Sequence, residues 1–190
     1  MQNRSFCRKA IRPSLSTIFK NSAAITKGGF FYHFDSKPVL AQALTERYLV
    51  QDDEIFKALL DKADGLSEDP LHRLLIFLNL LAEMMGQMDE THPGCLVASF
   101  TYESLQFQSN ICELMQQGLL RWRHMILDRV HIITARYPID SEVTEETLAD
   151  MFTAVIEGRI LLARNFEDNR LLVNQILAYR AFLRMLFKAQ

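Results

Sequence analysis

Residues 25–40 read ITKGGFFYHFDSKPVL, and the reading of the whole chain turns on this stretch. Thr26 can cap a short helix, and Gly28 and Gly29 leave its first turn bare of side chains. Asp35 and Ser36 offer a second cap. Pro38 then falls in the first turn of the next helix, where its missing N–H costs nothing. Upstream, SLSTIFKNS at 14–22 begins with capping serines and sets Leu15, Ile18 and Phe19 at helical spacing. Three helical segments in close succession are expected, with aromatic residues and lysines crowded around the middle one.

That crowding has a physical use. A helix start free of side chains lets backbone amides and Thr26 donate to phosphate oxygens, and Lys27 and Lys37 add positive charge at either end. Tyr32 and His33 can hydrogen-bond and stack, whereas Phe30 and Phe34, four residues apart, pack inward. Two short helices joined by a tight turn, basic and aromatic at the second, form the arrangement that lays a recognition helix in the major groove.

The charge distribution agrees. The net charge is −2, yet residues 1–48 hold eight Lys or Arg against two acids, leaving 13 of the 21 basic residues to face 21 of the 23 acidic ones in the remainder. A basic head on an acidic body meets a polyanion through the head alone.

Hydrophobic residues at 49 % and charged residues at 23 % describe an ordinary globular chain. Seven glycines and five prolines are too few for the many tight turns of a sandwich or barrel, so the expectation is all-α. Helical stripes are expected from Lys37 to about Ala63, over 71–88, over 95–107, over 109–137, and over about 144–165 and 168–188. The apolar run at 72–86 is broken by Arg73, Asn79 and Glu83 and is too short to span a membrane. Three cysteines without a CxxC pair indicate neither a disulfide framework nor a zinc site, which fits a reducing cytoplasm. His92 and Cys95 in HPGC are explained as a helix break. No phosphate loop, dinucleotide fingerprint or hydrolase motif occurs, so no enzyme and no cofactor are expected.

The segment 25–40 resembles the signature of the tetracycline-repressor (TetR) family of bacterial transcription regulators: an aliphatic residue, a polar pair, glycine, an aromatic cluster ending in His-Phe, then Ser-Lys. GCLVASFTYE at 94–103 and MFTAVIEGRILLAR at 151–164 extend the likeness over most of the chain. The resemblance implies a three-helix helix-turn-helix head at 1–48 and a larger helical ligand-binding and dimerisation body at 49–190. It assigns contacts with double-stranded operator DNA to Thr26, Lys27, Gly29, Phe31, Tyr32, His33 and Lys37, with Ser16 and Thr17 near the backbone. Phe31 stands where the family usually has tyrosine, Ala24 and Ala10 where it usually has glycine, and the first helix is expected to be short.

For the body, the resemblance implies a small-molecule effector whose binding alters the spacing of the heads in a homodimer. The residues available to line its site are Met84, Met85, Met88, Cys95, Phe100, Tyr102, Glu103, Phe107, Met115, Trp122 and Met125, with His124 as a further polar group. The last two helices are apolar on more than one side, which points to a subunit interface through Phe152, Val155, Ile156, Leu162, Ile176, Tyr179, Phe182 and Leu183. The expected function is a ligand-released repressor; the alternative is a ligand-binding or interaction module whose degenerate head no longer reads DNA.

Overall fold

The computed structural model describes residues 36–87, 94–97, 109–139 and 142–187. The chain divides into two compact units, Met1–Leu40 and Ala41–Gln190, with the division inside the first described helix. Among the described residues five helices have set bounds: α1 (Lys37–Asp64), α2 (Pro70–Gly86), α3 (Ser109–Arg136), α4 (Glu145–Phe166) and α5 (Arg170–Leu186). Five of the six helical stripes read from the sequence fall on these elements to within two residues at their ends; the stripe expected over 95–107 lies for the most part outside the described residues. No described residue is in a strand, so the all-helical expectation holds.

Local chemistry sets the ends. Ser36 caps α1 through Val39 N–H at 3.5 Å. Asp69 caps α2 by accepting from His72 N–H at 2.9 Å, with Pro70 in the first turn. Thr144 accepts from Thr147 N–H at 3.2 Å at the start of α4, where Glu145 and Glu146 complement the helix dipole. The turn from α4 to α5 is closed by Glu167 in the left-handed region (φ 52°), with Asp168 N–H returning to Ala163 O at 3.1 Å.

Cross-helix contacts give the topology of the Ala41–Gln190 unit. Asn110 bonds Gln42 at 2.7 Å, Arg121 pairs with Asp53 at 3.0 Å, and Arg129 grips Asp64 through both nitrogens. The near-constant offset, rising together on both helices, means α1 and α3 run parallel. Gly118 lies between these rungs, and a Cβ there would stand 2.5 Å from Leu49 Cδ2, so the glycine sets how closely the pair approaches. Arg123 to Asp150 (2.9 Å) and His131 to Glu145 (3.1 Å) make α3 and α4 antiparallel. Tyr179 donates to Leu148 O at 2.8 Å, and Arg180 Nε to Leu75 O at 3.0 Å, which ties α5 to both α4 and α2.

The core is an aromatic cluster drawing one ring from each helix: Phe56, Phe77, Trp122, Phe152 and Tyr179. Phe56 meets Phe77, Trp122 and Phe152 at centroid distances of 6.2, 6.0 and 6.2 Å, and Phe152 continues to Phe77 at 6.1 Å and Tyr179 at 6.2 Å. Tilted and edge-on rings at these spacings add to the area they bury. α2 lies deepest, with seven buried apolar residues from Leu71 to Ala82.

This corrects part of the expected subunit interface. Phe152, Ile156, Ile176, Tyr179 and Leu183 are buried within the single chain. They belong to the core stripes of α4 and α5, and a side chain enclosed by its own chain has no face to offer a second copy. Leu162 is exposed, whereas Val155 and Phe182 are half-buried. The large exposed apolar residues on these helices are Leu161, Leu162 and Phe166 on α4 and Leu177 and Met185 on α5. Among the described residues no helix is long and apolar enough to cross a membrane.

Candidate functional site

Of the residues expected to touch DNA, Ser16, Thr17, Thr26, Lys27, Gly29, Phe31, Tyr32 and His33 lie outside the described residues. Lys37 is the first residue of α1. In the body, Met88, Phe100, Tyr102, Glu103 and Phe107 likewise fall outside. Cys95, Met115 and Trp122 are buried, Met84 and Met85 are half-buried, and His124 is exposed. Met125 edges a shallow depression of about 290 Å³ shared with Asp53, Lys57, Arg121 and Arg129, a charged surface between α1 and α3.

The interior holds a polar group that the sequence reading did not assign to a site. On α4 the spacing of Phe152, Ile156, Arg159 and Ala163 puts a guanidinium on the core-facing stripe. Arg159 is 1 % exposed and is the one charged side chain buried among the described residues. Its Nε and Nη1 find no hydrogen-bond acceptor. Glu157 Oε1, Thr153 Oγ1 and Trp122 Nε1 are also enclosed without a partner. Each such group forgoes its hydration without recovering a hydrogen bond, at a cost of roughly 1–3 kcal/mol.

Around Arg159 stand groups whose ionisation is visibly strained. Burial lowers the Arg159 guanidinium to about 10, opposed chiefly by Glu157, so it stays protonated at neutral pH. Burial raises Glu157, tempered by Cys95 and by Arg159. Tyr48 on α1 is pushed far above the usual phenol range, first by burial and then by Cys95 and Asp52. Asp52, one turn further along α1, rises to about 6 for the same first reason, while the Tyr48 hydroxyl pulls it back. Cys95 lies within hydrogen-bonding reach of both Tyr48 and Glu157 and is itself buried.

Gly94 makes the approach of Cys95 possible. Its φ of 112° suits glycine, and a Cβ would stand 2.4 Å from Arg164 Nη1. The backbone turn there carries Cys95 and Val97 inward.

Phe56 and Phe152 touch at one end of the α1–α4 pair, while Tyr48 and Arg159 interact at the other. Tyr48 precedes Phe56 and Arg159 follows Phe152, so the two helices pass antiparallel, with an aromatic end and a polar end separated by two turns, about 10 Å. Among the described residues no group of His, Cys, Asp and Glu could hold a metal ion.

Compared with known proteins by sequence, the chain matches no family model and no curated protein. Its structure is similar to that of the regulatory protein TetR from Rhodobacter sphaeroides, at 26 % identity and a TM-score of 0.65, over 90 % of this chain and 85 % of that one. The fold is that of the TetR-family transcriptional regulators. A TetR-family regulator from Agrobacterium tumefaciens superposes with a TM-score of 0.69 at 20 % identity, over 91 % of this chain and 86 % of that one. A TetR regulator from Chloroflexus aurantiacus gives a TM-score of 0.69 at 24 % identity, over 90 % and 83 %. The TetR resemblance read from residues 25–40 is thus matched by structures spanning most of the chain. The proteins with these structures are transcription regulators.

Arg159, Glu157, Tyr48, Asp52 and Thr153 were absent from the lining expected from the sequence. One signal was available: an arginine at 159, where the stripe 152, 156, 159, 163 demands an apolar residue.

Proposed function

We propose that the chain is a ligand-responsive repressor of transcription, binding a palindromic operator as a homodimer and released by a small molecule taken up in its body. The carrying observation is the conjunction of the TetR fold over about 90 % of the chain with the segment ITKGGFFYHFDSKPVL in its basic first 48 residues. In this reading Ser16, Thr17, Thr26, Lys27, Gly29, Phe31, Tyr32, His33 and Lys37 meet the duplex. The dimer forms through the exposed apolar residues of α4 and α5, Leu162 and Phe166 foremost. The protein works in the cytoplasm, where operator and effector are both at hand.

Repression and release require two head spacings of unequal affinity for the operator, and an effector that prefers one of them. The test is a gel shift on the fragment upstream of the protein's own gene, with size-exclusion chromatography alongside. Tyr32→Ala and Lys37→Ala are expected to weaken binding at least about tenfold, a loss of about 1.4 kcal/mol, and to leave the dimer intact. Loss of the dimer in either variant would make the segment structural. Leu162→Arg is expected to shift the dimer towards monomer, and an unchanged elution volume would place the interface elsewhere.

A further inference from the structure

We propose that the body takes up a small aromatic carboxylate, its acid group on the Arg159 guanidinium and its ring towards Phe56 and Phe152. This rests on the reading of the chain as a ligand-responsive regulator and names the chemical class of its effector.

The geometry argues for an anion with acceptor oxygens. Arg159 is enclosed, and its Nε and Nη1 both lack an acceptor among the described residues. Glu157 offsets its charge from two positions away on the same helix, but residues so spaced do not face one another, and no hydrogen bond joins them. A guanidinium left this way is costly; in an apolar interior it is satisfied by a planar oxyanion, which it binds through parallel N–H bonds.

The ring follows from the surroundings. Along α4 the core-facing stripe that carries Arg159 leads back through Ile156 to Phe152, two turns away and in ring contact with Phe56. These rings touch each other and, through Phe56, Trp122, whose indole N–H is also buried without an acceptor. A ligand with its carboxylate on Arg159 would turn its apolar part along this stripe, towards rings about 10 Å away. Glu157 Oε1, enclosed and unpaired, would accept from a hydroxyl or amine on that ligand.

The experiment is a thermal-shift series on the full chain with benzoate, phenylacetate and 3-phenylpropionate at millimolar concentration, each against its neutral amide. At least one acid is expected to raise Tm by about 3 °C or more, its amide by much less, and Arg159→Met to abolish the difference. Three results would overturn the proposal: acids and amides shifting alike, no acid shifting the chain, or Arg159→Met still preferring the acid. Should Arg159→Met fail to fold, the acid-against-amide comparison on the unaltered chain decides alone. The gel shift is run in the same samples. Acids that bind through Arg159 but do not release the upstream DNA would reject the regulatory reading and leave the site standing. Release by acid and amide alike would do the reverse.

Discussion

The two ends of the α1–α4 pair are built on opposite principles. At one end Phe56 and Phe152 join rings from every other described helix in a dry cluster in which the Tyr179 hydroxyl also finds its acceptor, Leu148 O. At the other, Arg159 Nε and Nη1 and Glu157 Oε1 are enclosed without partners, and half-buried Tyr48 and Asp52 stand with ionisation pushed away from its ordinary range. The first end supplies cohesion. The second holds buried polar atoms without partners, which lowers that stability.

The largest effect should come from the cohesive end. Phe152→Ala removes the ring that bridges Phe56, Phe77 and Tyr179, and is expected to cost about 3–5 kcal/mol in chemical denaturation. A loss below about 1 kcal/mol would mean the cluster is not the core of the unit.

The polar end should respond with the opposite sign. Asp52 titrates near about 6 in the fold against 3.8 as an ordinary carboxylate, so between these values the folded chain holds a proton that the unfolded chain has released. Stability therefore falls as pH rises through that window, and the full penalty is present above it. Asp52→Asn is expected to raise stability at pH 7 by roughly 1–2 kcal/mol and to flatten the dependence between the two values. Glu157 is shifted in the same direction and will leave a residual slope. A destabilised Asp52→Asn with an unchanged pH profile would show that the carboxylate is satisfied after all.

The smallest effect lies outside both ends. Glu167 holds a left-handed conformation at the α4–α5 turn, and Glu167→Gly should relieve about 0.5–1 kcal/mol without altering the pH profile. A destabilised variant would mean that the Glu167 side chain contributes more than its backbone strain removes.

Much of the fold was legible because helices announce themselves by period and by caps. Ser36 ahead of Pro38 marks a start that the structure reproduces. Apolar period alone does not say which surface a stripe covers. Phe152, Ile156, Ile176, Tyr179 and Leu183 have the spacing of an interface, and only the packing of α4 against α5 and its neighbours reveals them as core. The candidate site was less legible for a different reason. Arginine is common on solvated helix faces, so its type alone does not mark Arg159 as buried, and Tyr48, whose charge would influence it, stands on a helix about a hundred residues away in sequence. The lining expected from the sequence instead followed methionines, of which Met115 is buried and Met84, Met85 and Met125 are half-buried.

The central claim, that this chain regulates transcription by gripping DNA through its basic head, is tested most directly by titrating it onto the fragment upstream of its own gene across a range of salt concentrations. Two heads neutralising about four phosphates each should give a slope near about −7 in log affinity against log salt. A slope near zero, or no binding at low salt, would contradict it.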